Sequence, residues 1–112
     1  MKENKIMSDI KKLLGKRIKE LRIEKHYTQE RLAELTDLGS TSISKIETGL
    51  YHPTDENLDK IAKALEVDPY KLYMYNHLKP ISDLRNELHK MIDRANDNDI
   101  KTVYRVVNGL LE

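Results

Sequence analysis

Apolar residues recur at helical rather than strand spacing through nearly the whole chain, which predicts an all-α protein. After a polar start, Ile10, Leu13, Leu14, Ile18 and Leu21 line one side of a first helix, capped by Ser8 or Asp9 and ending near Lys25. Gly15 lies inside it and, on propensity alone, weakens it by about 1 kcal/mol relative to alanine. Thr28 caps a second helix with Leu32, Ala33 and Leu35 on one side. Asp37, Leu38 and Gly39 form a tight turn, with Leu38 pinning the turn to the core. A third helix turns Ile43 and Ile46 inward and stops at Gly49. Pro53 and Thr54 open a fourth, with Asp55 and Glu56 in its first turn and Leu58, Ile61, Ala62 and Leu65 as its buried stripe. Asp68 caps a short fifth, with Pro69 at its first position and Leu72 inward.

Beyond Pro80 the pattern changes. Ser82 or Asp83 starts a helix with Leu84, Leu88, Met91, Ile92 and Ala95 on one face, and Asn96-Asp97-Asn98 breaks it. Asp99 opens a last helix carrying Ile100, Val103, Tyr104, Val106, Val107, Leu110 and Leu111. Two short helices cannot bury that much apolar surface between themselves. Either they fold back on the first unit or they pair with a second copy. Pairing is the expectation, with Leu84, Leu88, Met91, Ile92, Val103, Val106, Val107 and Leu110 as the dimerisation residues. The organisation is therefore a partly helical N-terminal extension over residues 1–12, a helical domain over 13–76 and a C-terminal helical hairpin over 80–112.

Composition narrows the chemistry. The 112 residues contain no Phe, Trp or Cys, so the core is aliphatic and neither a disulfide framework nor a thiolate metal site exists. Charged residues reach 35%, with a net charge of only +1, split as +3 over residues 1–52 and −2 over 53–112. That asymmetry fits a nucleic-acid reader without demanding one. No apolar run could span a bilayer and no targeting segment opens the chain, so a cytoplasmic protein with no membrane contact is expected. His26, His52, His77 and His89 lack metal-ligand spacing and the four glycines are isolated, so neither a metal nor another cofactor nor catalysis is expected.

The stretch Gln29 to Gly49, QERLAELTDLGSTSISKIETG, holds two helices too short to be stable alone, joined by a tight turn. The outward face of the second, formed by Ser40, Thr41, Ser44 and Lys45, is small and polar with one long cation. That suits a helix entering a DNA major groove. With LGKRIKELR before it and HPTDENLDKIAKALEVDPYKL after it, the segment from about Leu14 to Tyr73 resembles the Cro/repressor-like (Xre-type) helix-turn-helix family of transcriptional regulators. The chain departs from the family pattern where Asp37 replaces a common Gly and Gly39 replaces a preferred N-cap Ser.

The resemblance implies a five-helix lambda-repressor-like domain and DNA contacts from Thr28, Gln29, Gly39, Ser40, Thr41, Ser44, Lys45, Tyr51, His52 and Thr54. Gln29 would meet a phosphate and brace the reading helix, and Ser40 and Thr41 would face base edges. Lys45 would reach a guanine or a phosphate, and Tyr51, His52 and Thr54 would border the backbone. Arg22 and Glu47 would form a buried ion pair setting the angle of the reading helix. The implied function is repression from a two-half-site operator in double-stranded DNA, bound as a homodimer. A toxin or anti-repressor protein is a further partner the same pattern allows. An antitoxin, or an interaction module that no longer reads DNA, are the other functions it fits.

Overall fold

In the computed structural model the backbone is described for residues 2–112 and the side chains for residues 9–112. Helix α1 spans Lys2–Glu24, α2 Gln29–Thr36, α3 Ser40–Glu47 and α4 Asp55–Ala64, followed by 3-10 turns at Pro69–Tyr73 and Asn76–Leu78, then α5 Ile81–Arg94 and α6 Asp97–Leu111. Among the described residues there is no strand. The chain divides into two compact units, meeting between Leu78 and Lys79.

The first unit buries an aliphatic core. Leu14, Ile18 and Leu21 of α1 meet Leu32 and Ala33 of α2, Ile43 and Ile46 of α3, Leu58, Ile61, Ala62 and Leu65 of α4, and Leu72 of the first 3-10 turn. Helices α2, α3 and α4, of 8, 8 and 10 residues, are too short to hold themselves together, and each is stabilised by the stripe it presents to the others.

Several boundaries differ from the sequence expectation. Helix α1 reaches back to Lys2 rather than starting at Ser8 or Asp9, because no glycine or proline interrupts residues 2–14; Met1 lies outside the described residues. Leu35 is 41% exposed, and Thr36 takes the inward position at 2%. At about 3.6 residues per turn, positions 32, 33 and 36 share a face and 35 falls beside it. The Thr36 hydroxyl is satisfied by donating to the Leu32 carbonyl at 2.7 Å. The fifth helix is a 3-10 turn, with Pro69 at its start and Asp68 making no side-chain cap bond.

In the second unit, α5 begins at Ile81, directly after Pro80, rather than at Ser82 or Asp83. Asn96 both ends the break and caps α6, its side chain accepting from the Asp99 amide at 2.8 Å, so α6 opens at Asp97. No residue of α5 or α6 is buried. Leu88, Met91, Val106, Leu110 and Leu111 are all more than half exposed.

Candidate nucleic-acid interface

Helices α2 and α3 form the candidate surface, and caps set their entry and exit. Thr28 Oγ1 accepts from the Arg31 amide at 2.9 Å, satisfying one unpaired donor of the first turn of α2. Asp37 adopts φ 57 and ψ 30, the left-handed conformation that lets the Leu38 amide donate to the Ala33 carbonyl at 3.1 Å. Leu38 packs against the core below. Gly39 caps α3 with extended backbone and no side-chain bond, and a Cβ there would meet nothing closer than Ser42 Oγ at 3.9 Å.

Helix α3 then divides its faces. Ile43, Ile46 and Glu47 are buried, Ser40 and Thr41 are exposed, and Ser44 and Lys45 are half-buried. Glu47 is the anchor. Its carboxylate accepts from Arg22 Nε at 2.7 Å and Arg22 Nη2 at 3.0 Å, in the two-pronged geometry that suits a guanidinium. Gln29 Nε2 donates to the same carboxylate at 3.1 Å, and Arg22 Nη1 donates to the Tyr27 carbonyl at 2.7 Å. One buried acid thus joins the end of α1, the start of α2 and the last turn of α3. Among the described residues no buried side-chain polar atom lacks a partner.

Helix α1 also lies directly on the end of α3. A Cβ on Gly15 would sit 2.3 Å from the Ile46 carbonyl oxygen and 2.7 Å from that of Glu47. Gly15, read above as a weakness, is required by this approach. Gly49 is held similarly, at φ 81 with a Cβ position 2.8 Å from Lys12 Cα. After α3, the Leu50 and Tyr51 amides donate to the Lys45 carbonyl at 2.9 and 3.2 Å. Lys45 Nζ donates to Tyr51 Oη at 3.3 Å and stands 5.1 Å from the ring centroid. His52 Nδ1 lies 2.7 Å from the Pro53 carbonyl, which can only accept, so this nitrogen carries the hydrogen. Thr54 Oγ1 accepts from the Asn57 amide at 3.2 Å. The hydroxyls of Thr28 and Thr54 both accept from backbone and keep their own hydrogens for an outside acceptor.

Residues 18–72 match the helix-turn-helix family HTH_3. The control protein C.BamHI of Bacillus amyloliquefaciens is 39% identical over 66 residues, covering 58% of this chain and 82% of that protein. The chain belongs to the Xre-type helix-turn-helix family. Members of that family are DNA-binding transcriptional regulators. The crystal structure of the restriction-modification controller protein C.AhdI from Aeromonas hydrophila superposes with a TM-score of 0.54 at 34% identity, covering 55% of this chain and 92% of that one. A chain of a SinR–SinI protein complex gives a TM-score of 0.55 at 25% identity and covers 85% of this chain and 94% of that one.

Of the ten residues the resemblance assigned to DNA, the structure brings Gln29 inward onto Glu47, leaves Ser40 and Thr41 outward, and pairs Lys45 with Tyr51. Sequence reasoning took Gly15 only as a weakness of the first helix and did not single out Thr36. A helix-interior glycine three residues before a buried isoleucine is the one signal that pointed at the first. Lys25 is paired with Glu66 at 2.6 Å. Among the described residues no helix is long and apolar enough to cross a membrane.

Proposed function

We propose that this protein is a sequence-specific double-stranded DNA-binding repressor that occupies a two-half-site operator as a homodimer in the cytoplasm. The observation that carries the reading is the division of α3: its inner face is locked by Ile43, Ile46 and Glu47, while Ser40, Thr41 and Ser44 offer short hydroxyls to the outside. Short side chains let the helix approach base edges closely, and hydroxyls can donate or accept there. Thr28, Gln29, Tyr51, His52 and Thr54 lie at the ends of α2 and after α3, where phosphates flank a docked helix. The unburied apolar faces of α5 and α6 support pairing of two copies through Leu84, Leu88, Met91, Ile92, Val103, Val106, Val107 and Leu110.

Selection from a randomised duplex pool tests the reading, with Thr41→Ala as control. A two-fold-symmetric motif, weakened by Thr41→Ala at unchanged melting temperature, is the expected result. Salt-sensitive binding with no motif would refute it. An asymmetric complex of the hairpin with a different small protein in place of a homodimer would favour the antitoxin reading instead.

A further inference from the structure

We propose that Lys45 and Tyr51 act as one phosphate clamp, in which Tyr51 holds the Lys45 ammonium off the base edges and against the sugar-phosphate backbone. This rests on the reading that α3 docks in the major groove. Lys45 belongs to the last turn of an eight-residue helix, whereas a helix of this kind reads bases mainly with its N-terminal residues. Its cation is not left to sample freely. The ammonium donates to Tyr51 Oη at 3.3 Å and stands 5.1 Å from the ring centroid.

The main chain that carries the ring is held by backbone hydrogen bonds. The Tyr51 amide donates to the Lys45 carbonyl at 3.2 Å, and that carbonyl also accepts from the Leu50 amide at 2.9 Å and the Thr48 hydroxyl at 3.2 Å. Lysine and tyrosine are therefore tied twice, through main chain and through side chain. Pro53, buried two residues on, pins the far end of the loop.

The chemistry left over suits an anion. Among the described residues Lys45 has no carboxylate partner, so its charge is uncompensated. An ammonium has three donors, of which Tyr51 takes one. The tyrosine hydroxyl, by accepting from Lys45, is polarised and becomes a better donor of its own hydrogen. Two donors on Lys45 and one on Tyr51 match the oxygens of a phosphate, and a folded-back lysine cannot extend to the O6 and N7 of a guanine in the groove floor.

The test is binding by the full-length protein to its selected operator and to a set of single-base variants, at several salt concentrations. Lys45→Met is expected to lose about tenfold in affinity uniformly across the set, with the salt slope reduced by about 0.9 for each bound protomer and the base preferences unchanged. Tyr51→Leu should lose a similar amount, Tyr51→Phe should recover part of it by keeping the ring, and Tyr51→Leu/Lys45→Met should lose clearly less than the two single losses combined. A base preference altered by Lys45→Met, or losses that simply add in the double variant, would overturn the clamp while leaving the DNA-reading function intact. Wild-type protein that selects no motif would overturn both.

Discussion

Glu47 shows how much can depend on one side chain. It is only 6% exposed and has three nitrogen donors aimed at it, from Arg22 and Gln29. Glu47→Ala leaves the Arg22 guanidinium buried without its partner, and should cost roughly 3–5 kcal/mol of stability in urea unfolding. DNA affinity should fall with it, since the last turn of α3 loses its tie to α1. An unchanged melting temperature for Glu47→Ala would remove the bracing role. Glu20 makes a different prediction. Burial pushes its carboxyl up, but the hydrogen bonds from His77 and Arg17 and the charges of both outweigh this and leave it below the ordinary carboxylate range. A group depressed in the folded state stabilises above its unfolded pKa, and that stabilisation is lost as pH falls through the folded value. Glu20→Gln should therefore be less stable than wild type at neutral pH, and the two urea midpoints should converge in acid.

Helices pack as closely as their least bulky contact allows, and here that contact is Gly15. Gly15→Ala would improve helix propensity by about 1 kcal/mol. It would also drive a methyl into the carbonyls of Ile46 and Glu47, at 2.3 and 2.7 Å, which are backbone and cannot rotate away. Net destabilisation of roughly 1–3 kcal/mol is expected from a urea titration, and a stabilised Gly15→Ala variant would contradict the observed approach of α1 to α3. The same contact marks the limit of what the sequence discloses. The Thr28 cap and the stripes of α3 and α4 are decided by near neighbours and were legible, whereas the fourth helix opens at Asp55 with Thr54 as its cap rather than at Pro53 and Thr54. Gly15 was not legible, because its reason lies across the fold, in the carbonyls of another helix. The 3-10 form of Pro69–Tyr73 was equally hidden, since a five-residue segment has no periodicity to separate it from an α-helical turn.

Charge and apolar surface are distributed unequally between the two units. The excess positive charge belongs to residues 1–52, which contain all of α2 and α3, while the unburied leucines, valines and methionine of α5 and α6 lie beyond the Leu78–Lys79 boundary. If those faces hold two copies together, Val107→Asp should convert a sedimenting dimer to a monomer. The affinity for a two-half-site operator should then fall by about 100-fold or more as the tethered second contact is lost, while a single half-site is bound as before. A Val107→Asp protein that still sediments as a dimer would move the interface elsewhere. The residues expected to choose a DNA sequence and those expected to choose a protein partner share no helix. Substitutions in α3 can therefore drift to a new operator without disturbing who assembles with whom, and recombination near residue 79 could hand either specificity to another regulator intact. Duplicated copies of such a gene would need to change only the second unit to stop forming mixed pairs, so the boundary is also the place where sister regulators would first become insulated from each other.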